Sequence, residues 1–122
     1  MPVEGVSLEP TTIAIVFVAV LHVGFFLLES VLWTSPSVMR LFENTKEKAQ
    51  ETRVLALNQG FYNLGSAALL MGFHTSGNLV GVLGVLLFLA SMGIVGAITA
   101  NWRIILVQTL PALVAFLMLF PS

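Results

Sequence analysis

The sequence predicts an all-α fold, a four-transmembrane-helix bundle with both termini extracytoplasmic, and three observations carry that reading. Of 122 residues, 57% are hydrophobic and only 9% are charged, with a mean hydropathy of +0.99; a soluble domain carries roughly 25% charged residues because its surface must be wetted. Four segments approach the run of about 20 apolar residues that covers a hydrocarbon core of roughly 30 Å. None of them alternates apolar and polar residues as a barrel strand does, and an open strand in lipid would leave its backbone groups unsatisfied. With no linker, low-complexity tract or internal repeat, residues 1–122 read as one domain.

The first span is placed at 12–34. Its leader, Met1-Pro2-Val3-Glu4-Gly5, has no basic residue, and the apolar run is too long for a signal peptide, so the span is expected to stay in the mature protein. Residues 35–53 form the one long polar loop. In it, Val38-Met39-Arg40-Leu41-Phe42 is expected at the lipid interface, apolar side down. Thr45 is expected to cap a helix that runs through Lys48 and Glu51 straight into the second span, 54–73.

The third span is placed at 79–100 and the fourth at 104–120. Their tight links, His74-Thr75-Ser76-Gly77 and Asn101-Trp102-Arg103, force neighbouring helices to run antiparallel. Gly81, Gly84, Gly93 and Gly96 in the third span let another helix approach closely. Packing within the chain is their main expected use, and the surplus of small residues predicts a homodimer.

Orientation follows from charge. All five Lys and Arg residues, Arg40, Lys46, Lys48, Arg53 and Arg103, fall on the side of the long loop and the Asn101 link. By the positive-inside rule that side is cytoplasmic, which makes the chain a multi-pass protein of the inner (plasma) membrane with the lipid bilayer as its partner. The same composition excludes other classes. A net charge of −1 without a basic patch argues against nucleic acid. Zero cysteines exclude disulfides, thiolate catalysis and Cys-ligated metals.

Polar side chains inside a span are costly, so each calls for a partner or a task. In the first span His22 and Glu29 stand at i and i+7, nearly on one helical face, with Trp33 one turn further toward the cytoplasm. The second span carries Asn58, Gln59, Tyr62 and Asn63 as interleaved (i, i+4) pairs, and the fourth carries Gln108 ahead of Pro111. Counting from the cytoplasmic ends, Glu29, Asn58 and Gln108 all lie roughly 7–8 Å inside at helical rise. Three helices thus place polar groups at one depth, with His22 and Asn63 deeper.

The catalytic candidates are Glu29 as an acid, with His22 or Tyr62 as relay; the ligand-binding candidates are Trp33, Asn58, Gln59, Asn63 and Gln108. A purely structural use competes, because amides hydrogen-bond across membrane helices for about 0.6 kcal/mol each. No metal is expected: His22 and Glu29 offer two ligands where sites recruit three or four. No cofactor is expected either.

With these residues in hand, the chain resembles the DUF1304 family of small bacterial integral membrane proteins. The matching features are His22-x6-Glu29-x3-Trp33-Thr34, the Glu51-Thr52-Arg53 approach to Leu57-Asn58-Gln59-Gly60-Phe61-Tyr62-Asn63, and Gln108-x2-Pro111-Ala112. The resemblance implies a four-helix membrane protein and brings no activity with it. Three functional classes follow from the residues. The leading one is an intramembrane polar pocket for a small lipophilic or amphipathic ligand, with acid/base isomerisation, cyclisation or epoxide opening if it is an enzyme. The others are a proton-coupled small transporter and a structural accessory subunit.

Overall fold

The structure, a computed structural model, describes residues 9–120; the Met1–Gly5 leader lies outside them. Among the described residues there are six α-helices: α1 (Pro10–Phe26), α2 (Pro36–Leu41), α3 (Lys46–Glu51), α4 (Arg53–Thr75), α5 (Leu79–Thr99) and α6 (Leu110–Met118). Two π-helical turns interrupt this series, Leu27–Val31 after α1 and Ile105–Thr109 before α6. The all-α expectation holds, and the helices fall within a few residues of the four expected spans.

Two helices are long and apolar enough to cross a membrane, Pro10–Val31 with its π turn and α5, Leu79–Thr99. The other two expected spans do not meet that measure. Helix α4 has the length, at 23 residues, but Arg53, Asn58, Gln59, Asn63 and His74 dilute its apolar character. Ile105–Met118 is apolar but shorter.

The chain forms two compact units. In the unit of residues 19–69, the end of α1 packs antiparallel to the start of α4. The pairing runs from Trp33 with Thr52, through Ser30 with Leu57, to Phe26 with Phe61, whose rings meet edge-on at 5.2 Å. The register is set by small residues. On α4, Ala56, Gly60, Asn63 and Ala67 are buried at alternating steps of four and three, one helical stripe. A Cβ on Gly60 would collide with the Ser30 side chain, so glycine is what allows the two backbones to approach this closely.

Between these helices the long loop folds into α2 and α3. Ser35 caps α2, accepting the Val38 N–H while donating to Leu32 O at 2.7 Å, and Pro36 occupies the first turn where no N–H is needed. Helix α2 ends on Glu43 at φ 55°, where the Asn44 N–H reaches Met39 O and the Glu43 N–H reaches Arg40 O. That is a Schellman closure with glutamate in the left-handed position that glycine usually takes. Thr45 caps α3 through the Lys48 N–H, as expected. The helix does not run straight into α4, however. It breaks at Thr52, whose hydroxyl bonds back to Lys48 O at 2.7 Å and competes with the continuing ladder.

In the other unit, which holds residues 9–18 and 70–120 of those described, Gly77 takes φ 73° in the turn and Asn78 caps α5, its Oδ1 accepting the Gly81 N–H at 2.9 Å. Helix α5 packs antiparallel to the second π turn and α6. Gly93 faces Thr109 and Gly96 faces Ile104, while Gly81 is covered by Phe73. Three of the four glycines that predicted a homodimer are therefore spent inside the chain, and only Gly84 has open space. The second π turn has an identifiable cause. Pro111 has no N–H and its ring crowds the carbonyl four residues back, so the turn widens and the Leu110 N–H reaches Ile105 O instead.

Candidate functional site

Glu29 is the centre of the site because it is the acidic side chain in the long apolar stretch Pro10–Val31. It sits in the middle of the first π turn, where the Leu32 N–H closes on Leu27 O at 2.9 Å. A π turn accommodates an extra residue per turn, and such turns recur at functional sites. Here the extra residue carries Glu29 back around the helix relative to a uniform α-helix.

Asn63 Nδ2 donates to Glu29 Oε1 at 2.5 Å, and Asn63 is buried on the inner stripe of α4. Glu29 itself is half-buried, and its Oε2 takes no hydrogen bond among the described residues. The adjacent Ser30 is tied down, its hydroxyl donating to Leu57 O at 2.8 Å. Thus the pair has one rigid side, made by Ser30, Gly60 and Asn63, and one open carboxyl oxygen.

The other predicted residues divide clearly. His22 is fully buried with its ring edge-on to Phe25 at 5.0 Å, and the Glu29 hydrogen bond goes to Asn63 rather than to His22. Trp33 donates through Nε1 to Thr52 Oγ1 at 3.0 Å and stacks at a tilt on Phe42 at 5.1 Å. It closes the end of the α1–α4 pair and is not a hydrogen-bond partner of Glu29. Asn58, Gln59 and Tyr62 are exposed on α4, Tyr62 at 75%, and none of them reaches Glu29 by hydrogen bond. The relay expected of Tyr62 therefore has no hydrogen bond to act through.

Gln108 belongs to the other unit, and its Nε2 is engaged with Leu89 O at 3.0 Å beside a Thr109–Ala90 bond of 2.9 Å. These are helix-to-helix ties between the π turn and α5. Among the described residues no three His, Asp or Glu side chains gather as a metal set.

Sequence reasoning missed Ser30 and Gly60 as the contact that seats the pair, and both π turns. Its available signal was the small-residue spacing Ala56-x3-Gly60 on the polar helix. The family model described as a protein of unknown function (DUF1304) matches residues 16–120 of the chain. No curated protein and no solved structure matches.

Proposed function

We propose that this chain, which belongs to the DUF1304 family, is a multi-pass plasma-membrane protein with one four-span membrane domain, and that Glu29 and Asn63 bind the polar end of a small lipophilic or amphipathic molecule. Membrane residence is supported by unspent apolar surface: only 22% of the Pro10–Val31 stretch and 28% of Leu79–Thr99 is buried within the chain. A helix apolar all round belongs in a core or in lipid, and these two are not in a core. The four helical segments supply the crossings, with the shorter ones aided by thinning or tilt at modest cost.

One observation carries the binding reading: the half-buried Glu29 carboxyl group on a π turn, fixed by Asn63 at one oxygen and open at the other. An intramembrane carboxyl group is costly, and one held by a rigid amide is preorganised for a polar group entering from the lipid side. The test is mass spectrometry of lipids and small molecules retained by the detergent-solubilised protein. The expected result is a specific amphipathic molecule at near-stoichiometric level in the parent, reduced at least ten-fold in folded Glu29→Gln and Glu29→Leu variants. Identical bound-molecule profiles in parent and Glu29→Leu would leave the Glu29–Asn63 pair a helix tie and overturn the reading.

A further inference from the structure

Helix α4 carries a second stripe, and nothing among the described residues hydrogen-bonds to its polar side chains. Leu55, Asn58, Tyr62, Gly65 and Leu69 follow one another at steps of three and four, the spacing of a heptad seam. All five are exposed, Leu55 at 71%, Tyr62 at 75% and Leu69 at 57%. The seam lies well round the helix from the buried stripe of Ala56, Gly60, Asn63 and Ala67 that faces Ser30 and Glu29. Asn58, and Gln59 on the seam's shoulder, make no side-chain hydrogen bond among the described residues, and a Cβ on Gly65 would meet nothing within 4 Å.

We infer that this seam is the contact of a homodimer in which α4 of one copy crosses α4 of another in parallel. The inference rests on the membrane reading above. Hydrocarbon cannot satisfy an amide, so a span that presents Asn and Gln outward is driven toward a polar partner. Two copies inserted with the same topology meet about a two-fold axis along the membrane normal, which sets like residues opposite one another. Asn58 then faces Asn58 of the partner subunit. An amide is both donor and acceptor, so it is its own complement, and a single seam asparagine in a parallel pair fixes register and favours two strands. Gly65 allows the backbones to close, while Leu55 and Leu69 supply apolar packing at either end.

The absence of cysteine in the sequence makes the test direct. Single variants Leu55→Cys, Tyr62→Cys and Leu69→Cys are oxidised in intact membranes, with Leu57→Cys, exposed on another face, as control. Membrane retention through alkaline carbonate washing is scored in the same samples. The seam variants are expected to give a cross-linked dimer at least five-fold above Leu57→Cys, and Asn58→Leu to lower the dimer fraction of the otherwise unaltered chain roughly three-fold or more in single-molecule photobleaching. Retained protein with seam cross-linking no higher than the Leu57→Cys control overturns the dimer and leaves the membrane reading intact. A lipid or other ligand found covering the seam of a monomer does the same. Protein released by carbonate overturns both.

Discussion

Asn63 is the residue on which the candidate site depends, because it is the one hydrogen-bond donor to Glu29 among the described residues. Replacing Asn63 by Leu strands a carboxyl group in an apolar span and is expected to cost about 1–3 kcal/mol, read as a lower melting temperature in detergent. The double variant Glu29→Leu, Asn63→Leu is expected to recover much of that loss, since removing both partners leaves nothing unsatisfied. At the opposite end of the pair, Trp33→Phe keeps the stack on Phe42 and deletes the bond to Thr52, an expected loss of about 1 kcal/mol by the same assay. Glu29 was legible in the sequence from residue type alone. Its partner was not: Asn58, Gln59 and Asn63 are chemically alike, and only the helix face each takes in the fold separates the buried one from the exposed two.

At the scale of elements, the α1–α4 contact turns on Gly60. Gly60→Leu would drive a side chain into Ser30, and since both backbones are held the expected cost is about 1–3 kcal/mol with lower yield of folded protein. Gly72→Leu on the same helix meets open space and is expected to leave folding unchanged, which separates a packing effect from a general intolerance of α4 to leucine. Differential scanning fluorimetry of the two variants side by side checks the pair. The element boundaries were readable to within a few residues from hydropathy, from Thr45 as a cap and from the tight link that ends at Gly77. The π turn after α1 was not, because no residue in Leu27–Val31 forces the helix to widen as Pro111 does at the second. The break at Thr52 depends on a hydroxyl shared with Trp33.

For the whole molecule, the distribution of Arg40, Lys46, Lys48, Arg53 and Arg103 predicts a cytoplasmic 35–53 loop and extracytoplasmic termini. Alkaline phosphatase fused after the last residue is expected to be active, and a fluorescent protein that matures only in the cytoplasm is expected to be dark in the same position. The reverse pattern would invert every span. In the same membranes, a cysteine placed at Lys46 or Lys48 is expected to be labelled only after the cells are opened to an impermeant thiol reagent.

The sequence by itself determined that this chain is helical, strongly apolar and short of charge, and it marked Glu29 and the amides of α4 as the residues that need explanation. Those conclusions rest on composition, on a period of 3.6 and on the cost of polar groups in an apolar run, all of which are local. Tertiary structure decided the rest. It selected Asn63 over its neighbours, detached the Glu29 hydrogen bond from His22, tied Gln108 to Leu89, and spent Gly81, Gly93 and Gly96 inside the chain. The physical reason is that a helix presents several polar residues at one depth around its circumference. Which of them meets a neighbour is set by crossing helices and small residues, and these become definite only when two segments distant in sequence are packed together.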